Sequence, residues 1–227
     1  MHQSKMIKKS QMLLVLLLAC CFHISNSWAE SQKASLREDD IEHEPGNLQN
    51  GMRVAIDLCI LCHNLKYVKY QDLMQIGLSA QSVDEIRGVN RVNDPILSRM
   101  TNEQMNALFG MTTPDLSLMA KARSGGTQYI YSLLLAYQER TDKVIINKLY
   151  PSIKMPDVFA YSIENENHAR STIEQNARDV AAFLTWTADP TAEERRTLGV
   201  YVMLYLFVLT FMLYLVKQKT WSRLKRL

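Results

Sequence analysis

Cys59-Ile60-Leu61-Cys62-His63 is the stretch of this 227-residue chain whose residue types and spacing most directly specify a chemistry. Two thiols three residues apart sit on one helical turn. Each can form a thioether with a vinyl group of the same haem, and the adjacent His63 then presents its imidazole to the iron. A redox-active dithiol and half of a zinc site are the other readings of such a pair. The first needs a strand-to-helix setting and the second needs two more ligands. Beyond residue 29 the only other histidines are His43 and His168, and there is no further cysteine.

A haem iron has a sixth position, which an electron carrier fills and an oxygen-activating enzyme leaves open. The candidates are the remaining histidines and a methionine at least one long loop downstream, and Met155, in Ser152-Ile153-Lys154-Met155-Pro156, is the choice among them. It falls in a non-helical stretch, and Pro156 restricts the backbone that would hold the thioether. A thioether ligand raises the reduction potential. A methionine taken alone is more often core filler, so the spacing by itself leaves this choice open.

The elements that must position these residues are mainly helical. Met52, Ala55, Ile56 and Cys59 recur at i, i+3, i+4 and i+7, an apolar face on a helix beginning near Asn47 that carries Cys59 to the interior. Ser82 with Glu85, and Thr101 with Gln104, have the spacing of capping boxes and predict two short helices. Gln128 to Tyr137 is an apolar stretch after Gly125-Gly126. Ile173, Ala177, Val180, Ala181 and Leu184 mark the buried face of another helix, which should stop near Trp186, ahead of Pro190. No strand candidate longer than Lys143 to Ile146 stands out, and residues 30 to 45 read as an extended lead that does not pack. Long irregular stretches at 87–100, 110–118 and 147–170 need something large to pack on, which a buried haem supplies.

Both ends of the chain point to a membrane. Lys5, Lys8 and Lys9 precede an apolar run from Met12 to Ile24, and Ser27-Trp28-Ala29 suits a signal peptidase, so residues 1–29 read as a signal peptide. An uncleaved anchor, or lipidation at Cys20, is the alternative. Residues 198–216 contain no charge and read as a transmembrane helix. Lys217, Lys219, Arg223, Lys225 and Arg226 follow, and the positive-inside rule places this tail, 217–227, in the cytoplasm. The domain at 30–197 is then exported. It holds 18 basic and 23 acidic residues, a net charge of −5 within a chain of +3, which favours a basic protein partner and argues against nucleic acid.

Thr113-Pro114-Asp115-Leu116-Ser117, Ala120-Lys121-Ala122-Arg123, Gly125-Gly126, and Tyr129-Ile130-Tyr131-Ser132-Leu133-Leu134 with Tyr137, taken in this order, closely resemble the cytochrome c1 family, in its bacterial type. Met155-Pro156 and the run from Asp179 through Trp186 to Pro190 continue the match, which ends in the apolar span and Lys217, Lys219 and Trp221. The resemblance implies a c-type cytochrome domain with long loops around one covalent haem c, plus one C-terminal transmembrane helix. It implies haem on Cys59 and Cys62, His63 and Met155 as axial ligands, Arg123 paired with a haem propionate, and Tyr129 and the Pro114-Asp115 turn at the haem crevice. Arg123 as an ordinary surface cation is the plainer reading. It further implies an electron-relay subunit of a quinol:cytochrome c oxidoreductase, not catalytic alone. Its partners would be a cytochrome b subunit, a Rieske iron-sulfur protein and a c-type cytochrome acceptor. The haem domain would lie in the periplasm, held by a single pass through the inner membrane. A free-standing membrane-anchored monohaem carrier is the alternative, and a non-haem exported interaction protein a third reading. The family usually has proline where Thr113 stands and glycine where Ala136 stands, and its stretch from Tyr137 to Met155 is often longer. These departures bear on loop shape.

Overall fold

Helix α1, Pro45–Val54, starts where the sequence leads one to expect, with Pro45 in the first turn, where a missing N–H costs nothing. The computed structural model describes residues 36–164 and 166–224. The signal-peptide reading, Cys20 and the last three residues of the basic tail lie outside them. Leu48, Gly51 and Met52 form the buried face of α1. The helix then widens into a π-helical turn over Ala55–Cys59, closed by the Ile60 N–H donating to the Ala55 carbonyl at 2.9 Å. Such single wide turns are frequent at functional sites, and this one ends on Cys59.

Strand β1, Leu65–Lys69, pairs antiparallel with β2, Pro95–Ile96, correcting the expectation that nothing longer than 143–146 would be a strand. The two-residue alternation of a half-buried strand is missing because the register shifts between Leu65 and Lys69, so the inward residues are Leu65 and Val68, three apart. A 3₁₀ stretch, Tyr70–Ile76, leads to α2, Ala80–Arg87. Its cap is Ser79, whose hydroxyl accepts from the Ser82 N–H at 3.1 Å; Ser82 lies inside the helix, so the Ser82/Glu85 box is corrected. The box at Thr101 and Gln104 is present and starts α3, Asn102–Phe109.

A four-residue helix α4, Met119–Ala122, and helix α5, Gly126–Leu134, follow. The apolar stretch after the glycine pair does not stay helical to Tyr137. Instead Tyr137–Glu139 forms β3, hairpin partner of β4, Ile145–Asn147, with Tyr137 opposite Asn147. Helix α6, Asn167–Ala188, buries Ala177, Val180, Ala181 and Leu184 and ends two residues before Pro190, as the spacing predicts. It is the central element, in contact with α1, α4 and α5. The lead also packs: Ile41 is buried, Asp39 pairs with Arg178 at 2.7 Å, and Arg37 reaches Glu174 and Tyr161. Helix α7, Ala192–Leu224, carries an apolar stretch long enough to cross a membrane, from Glu194 to Ser222.

Candidate functional site

The attachment pentapeptide is built by the end of α1. After the wide turn, the N–H groups of Cys62 and His63 both donate to the Cys59 carbonyl, at 3.1 and 2.8 Å, folding the two thiols and the imidazole onto one tight turn. Arg99 and Met100 donate to the Ile60 and Leu61 carbonyls, and the Thr113 hydroxyl donates to that of Cys62. These bonds fix the turn against two of the irregular stretches.

His63 Nδ1 lies 2.8 Å from the Pro114 carbonyl oxygen, so this nitrogen carries the proton and Nε2 keeps a free lone pair. Burial lowers the His63 pKa, opposed by the Pro114 carbonyl and the Asp115 charge, and the net effect favours the neutral ligating form. The Pro114 turn is itself anchored. The Asp115 carboxylate accepts from the Lys66 and Ser117 N–H groups, and the Leu116 N–H donates to the Asn64 carbonyl at 2.8 Å. Burial pushes the Cys59 thiol up to about 12, helped by Cys62, and burial raises Cys62 as well. The two cysteines form no disulfide, and a thiol is the form that adds across a vinyl group.

All seven residues singled out from sequence, Cys59, Cys62, His63, Pro114, Arg123, Tyr129 and Met155, line one cavity of 660 Å³. That volume lies within the roughly 300–1,000 Å³ of ligand and cofactor sites. Its walls are mostly apolar, with Leu116 and Val158 from loops, Ile130, Leu133 and Leu134 from α5, and Val180 and Leu184 from α6. Arg123 is exposed at the edge, and among the described residues no carboxylate pairs with it. Met155 arrives on the loop after β4, where the Tyr137 hydroxyl donates to its carbonyl at 2.8 Å and Lys154 Nζ donates to the Phe109 carbonyl at 3.1 Å.

Sequence reasoning missed part of this lining. Met111 and Met119 reach the cavity beside Met155, the first 45% exposed and the second on the short α4. Periodicity does mark Val180 and Leu184, but as core, because a haem wall and a protein core demand the same apolar side chains.

The donor set fits a porphyrin. Two thiols match two vinyl groups, a neutral imidazole and a thioether match an iron, apolar walls match the macrocycle, and an unpaired cation at the edge matches an acid side chain. It fits the other readings of the cysteine pair poorly. Among the described residues no group of three His, Cys, Asp or Glu side chains is placed to hold a metal ion, and a helix, not a strand, leads into the motif.

Helices wrapped around an apolar cavity with this attachment turn, next to one membrane-length helix, define a membrane-anchored c-type cytochrome. Residues 40–96 and 87–224 match the family described as the cytochrome C1 family, so the chain belongs to it. It is 32% identical over 231 residues to cytochrome c1 of Rhodospirillum rubrum, covering 81% of this chain and 84% of the relative. The cytochrome b/c1 protein of Bradyrhizobium diazoefficiens is 28% identical over 227 residues, which span 78% of this chain and 33% of that longer protein. The ammonia monooxygenase gamma subunit of Nitrosomonas europaea is 25% identical over 232 residues, 94% of this chain and 97% of the relative. Cytochromes c1 are covalent c-type haem proteins and electron-transfer subunits of the bc1 complex, and this chain is such a haem subunit.

Proposed function

We propose that the chain relays single electrons within a quinol:cytochrome c oxidoreductase, from a Rieske iron-sulfur protein to a c-type cytochrome, through one haem attached to Cys59 and Cys62. The convergence of all seven sequence-predicted residues on one cavity carries this reading. Bound there, haem supplies a one-electron couple between ferric and ferrous iron.

The residues of the chain have distinct tasks. His63 would hold the iron through Nε2, with its ring orientation set by the Pro114 carbonyl. Met155 would hold it through its thioether, a ligand that would raise the potential and limit access of exogenous ligands. Arg123 would pair with a propionate, and Tyr129 and the Pro114 turn would border the crevice. Met155 is preferred over Met111 and Met119 because its loop is fixed at two consecutive residues, whereas Met111 is 45% exposed.

The apolar helix anchors the domain beside a cytochrome b subunit, an arrangement consistent with the joint cytochrome b/c1 name of the Bradyrhizobium relative. The basic residues after the span support a C-terminal end in the cytoplasm and an acidic haem domain in the periplasm, across an inner membrane. The net negative domain then attracts a basic acceptor.

The test is co-purification of an affinity-tagged chain after mild detergent extraction. A b-type haem protein and a Rieske iron-sulfur protein in the same fraction support the relay subunit. A monodisperse c-type monomer favours the free carrier, and an ammonia monooxygenase in their place overturns the quinol oxidoreductase.

A further inference from the structure

The loop bearing Met155, between β4 and α6, is long, forms no helix or strand among the described residues, and is held in part by the side chain of a tyrosine. The Tyr137 hydroxyl donates to the Met155 main-chain carbonyl at 2.8 Å, and the Tyr137 side chain is 5% exposed. Tyr137 is rigidly placed as the first residue of β3, opposite Asn147 on β4. Asn147 is 1% exposed. Its amide donates to the Leu133 carbonyl at 2.8 Å, and its oxygen accepts from the Leu149 and Tyr150 N–H groups, both at 3.0 Å. The hairpin is thereby tied at one corner to α5, which walls the cavity, and at the same corner to the start of the methionine loop.

We propose that Tyr137 is a positioning residue for the sixth ligand, holding the Met155 backbone so that the thioether stays within reach of the iron and governing how readily it leaves. This rests on the reading that Met155 is that ligand. The physical argument is a population shift. An added ligand binds the ferric protein only when the methionine loop has swung away, so its apparent affinity scales with the fraction of open loop. A single neutral hydrogen bond changes such an equilibrium by about tenfold.

The experiment measures imidazole binding to the purified ferric full-length protein, together with the sulfur-to-iron absorption band at the red end of the spectrum. Tyr137→Phe keeps the ring and the fold, retains the band without imidazole, and binds imidazole about tenfold more tightly than the parent chain. Tyr131→Phe is the control. This tyrosine is 2% exposed and also loses a hydrogen-bonded hydroxyl, which accepts from Arg178 at 3.1 Å, but among the described residues it makes no hydrogen bond to the methionine loop. Its imidazole affinity should match the parent.

Parental affinity in Tyr137→Phe overturns the proposal, and so does equal tightening in Tyr131→Phe, which would report general loosening. Met155→Leu separates this from failure of the underlying assignment. Its band must vanish, and a surviving band sinks the ligand reading itself, whatever Tyr137 does.

Discussion

Gly51 and Asp179 meet backbone to backbone: a Cβ built on Gly51 would stand 1.9 Å from the Asp179 carbonyl oxygen. Only glycine allows α1 and α6 to approach this closely. The crossing is reinforced by the buried Asp179 carboxylate, which accepts from Asn47 at 3.2 Å, Asn50 at 2.6 Å and Gln175 at 2.9 Å. Because α1 runs on through the wide turn to Cys59, and α6 supplies two walls of the cavity, this contact sets where the attachment turn lies relative to the walls.

Gly51→Ala must therefore push the two helices apart. Overpacking against backbone atoms costs about 1–3 kcal/mol or more and outweighs the gain of about 1 kcal/mol in helix propensity. A lower melting temperature and reduced haem incorporation are the expected results. An unchanged melting temperature would show that the crossing has slack.

Thr113 stands where the family usually has proline, and its hydroxyl donates to the Cys62 carbonyl and lies 2.9 Å from Met105 Sδ. A proline has no donor there, so this chain secures its attachment turn in its own way. Thr113→Val keeps the shape and removes the donor, and should cost about 0.5–1.5 kcal/mol. Chemical denaturation read by the haem band measures it.

Asp189 joins α4 to the junction of α6 and α7, bonding Arg195 and standing 2.9 Å from Lys121. These two cations hold its carboxyl down from the usual value of 3.8 to about 2. A depressed folded-state pKa means stability that is fully present above about 4 and is lost as pH falls toward 2. Both cations are exposed, so the loss is small. Melting temperature followed between pH 4 and 2 should fall less steeply in Asp189→Asn than in the parent chain, and parallel curves would remove Asp189 from the acid response.

Met155→Leu should abolish the sulfur-to-iron band and lower the midpoint potential by on the order of a tenth of a volt or more, within the roughly 0.8 V that axial ligands command. Met111→Leu and Met119→Leu should retain the band. Loss of the band in either of those variants instead would move the sixth ligand to that residue.

Where sequence and structure agree, the signal is periodic or covalent. The apolar faces ending at Cys59 and running from Ala177 to Leu184 follow helical spacing, and Thr101 with Gln104 forms a local motif that needs no tertiary partner. Where they differ, tertiary contacts decide. Leu65 and Val68 are brought to one side by a register shift that leaves no alternation to read, and Leu135-Ala136 offer no turn residue to announce that α5 stops before the hairpin. Ser79 outcompetes Ser82 as a cap because its extended backbone stands just outside the first turn. Arg37 and Asp39 look like solvated charges until α6 supplies Glu174 and Arg178. The site itself was largely legible because its chemistry concentrates in a five-residue motif, whereas Tyr137's bond to Met155 joins residues 18 apart through a hairpin.

The most direct test of the central claim is the intact mass of the purified, denatured chain together with peptide mapping. One haem retained through denaturation, and located on the peptide containing Cys59 and Cys62, is the predicted result. A chain that loses its haem on denaturation, or carries none, would contradict the account.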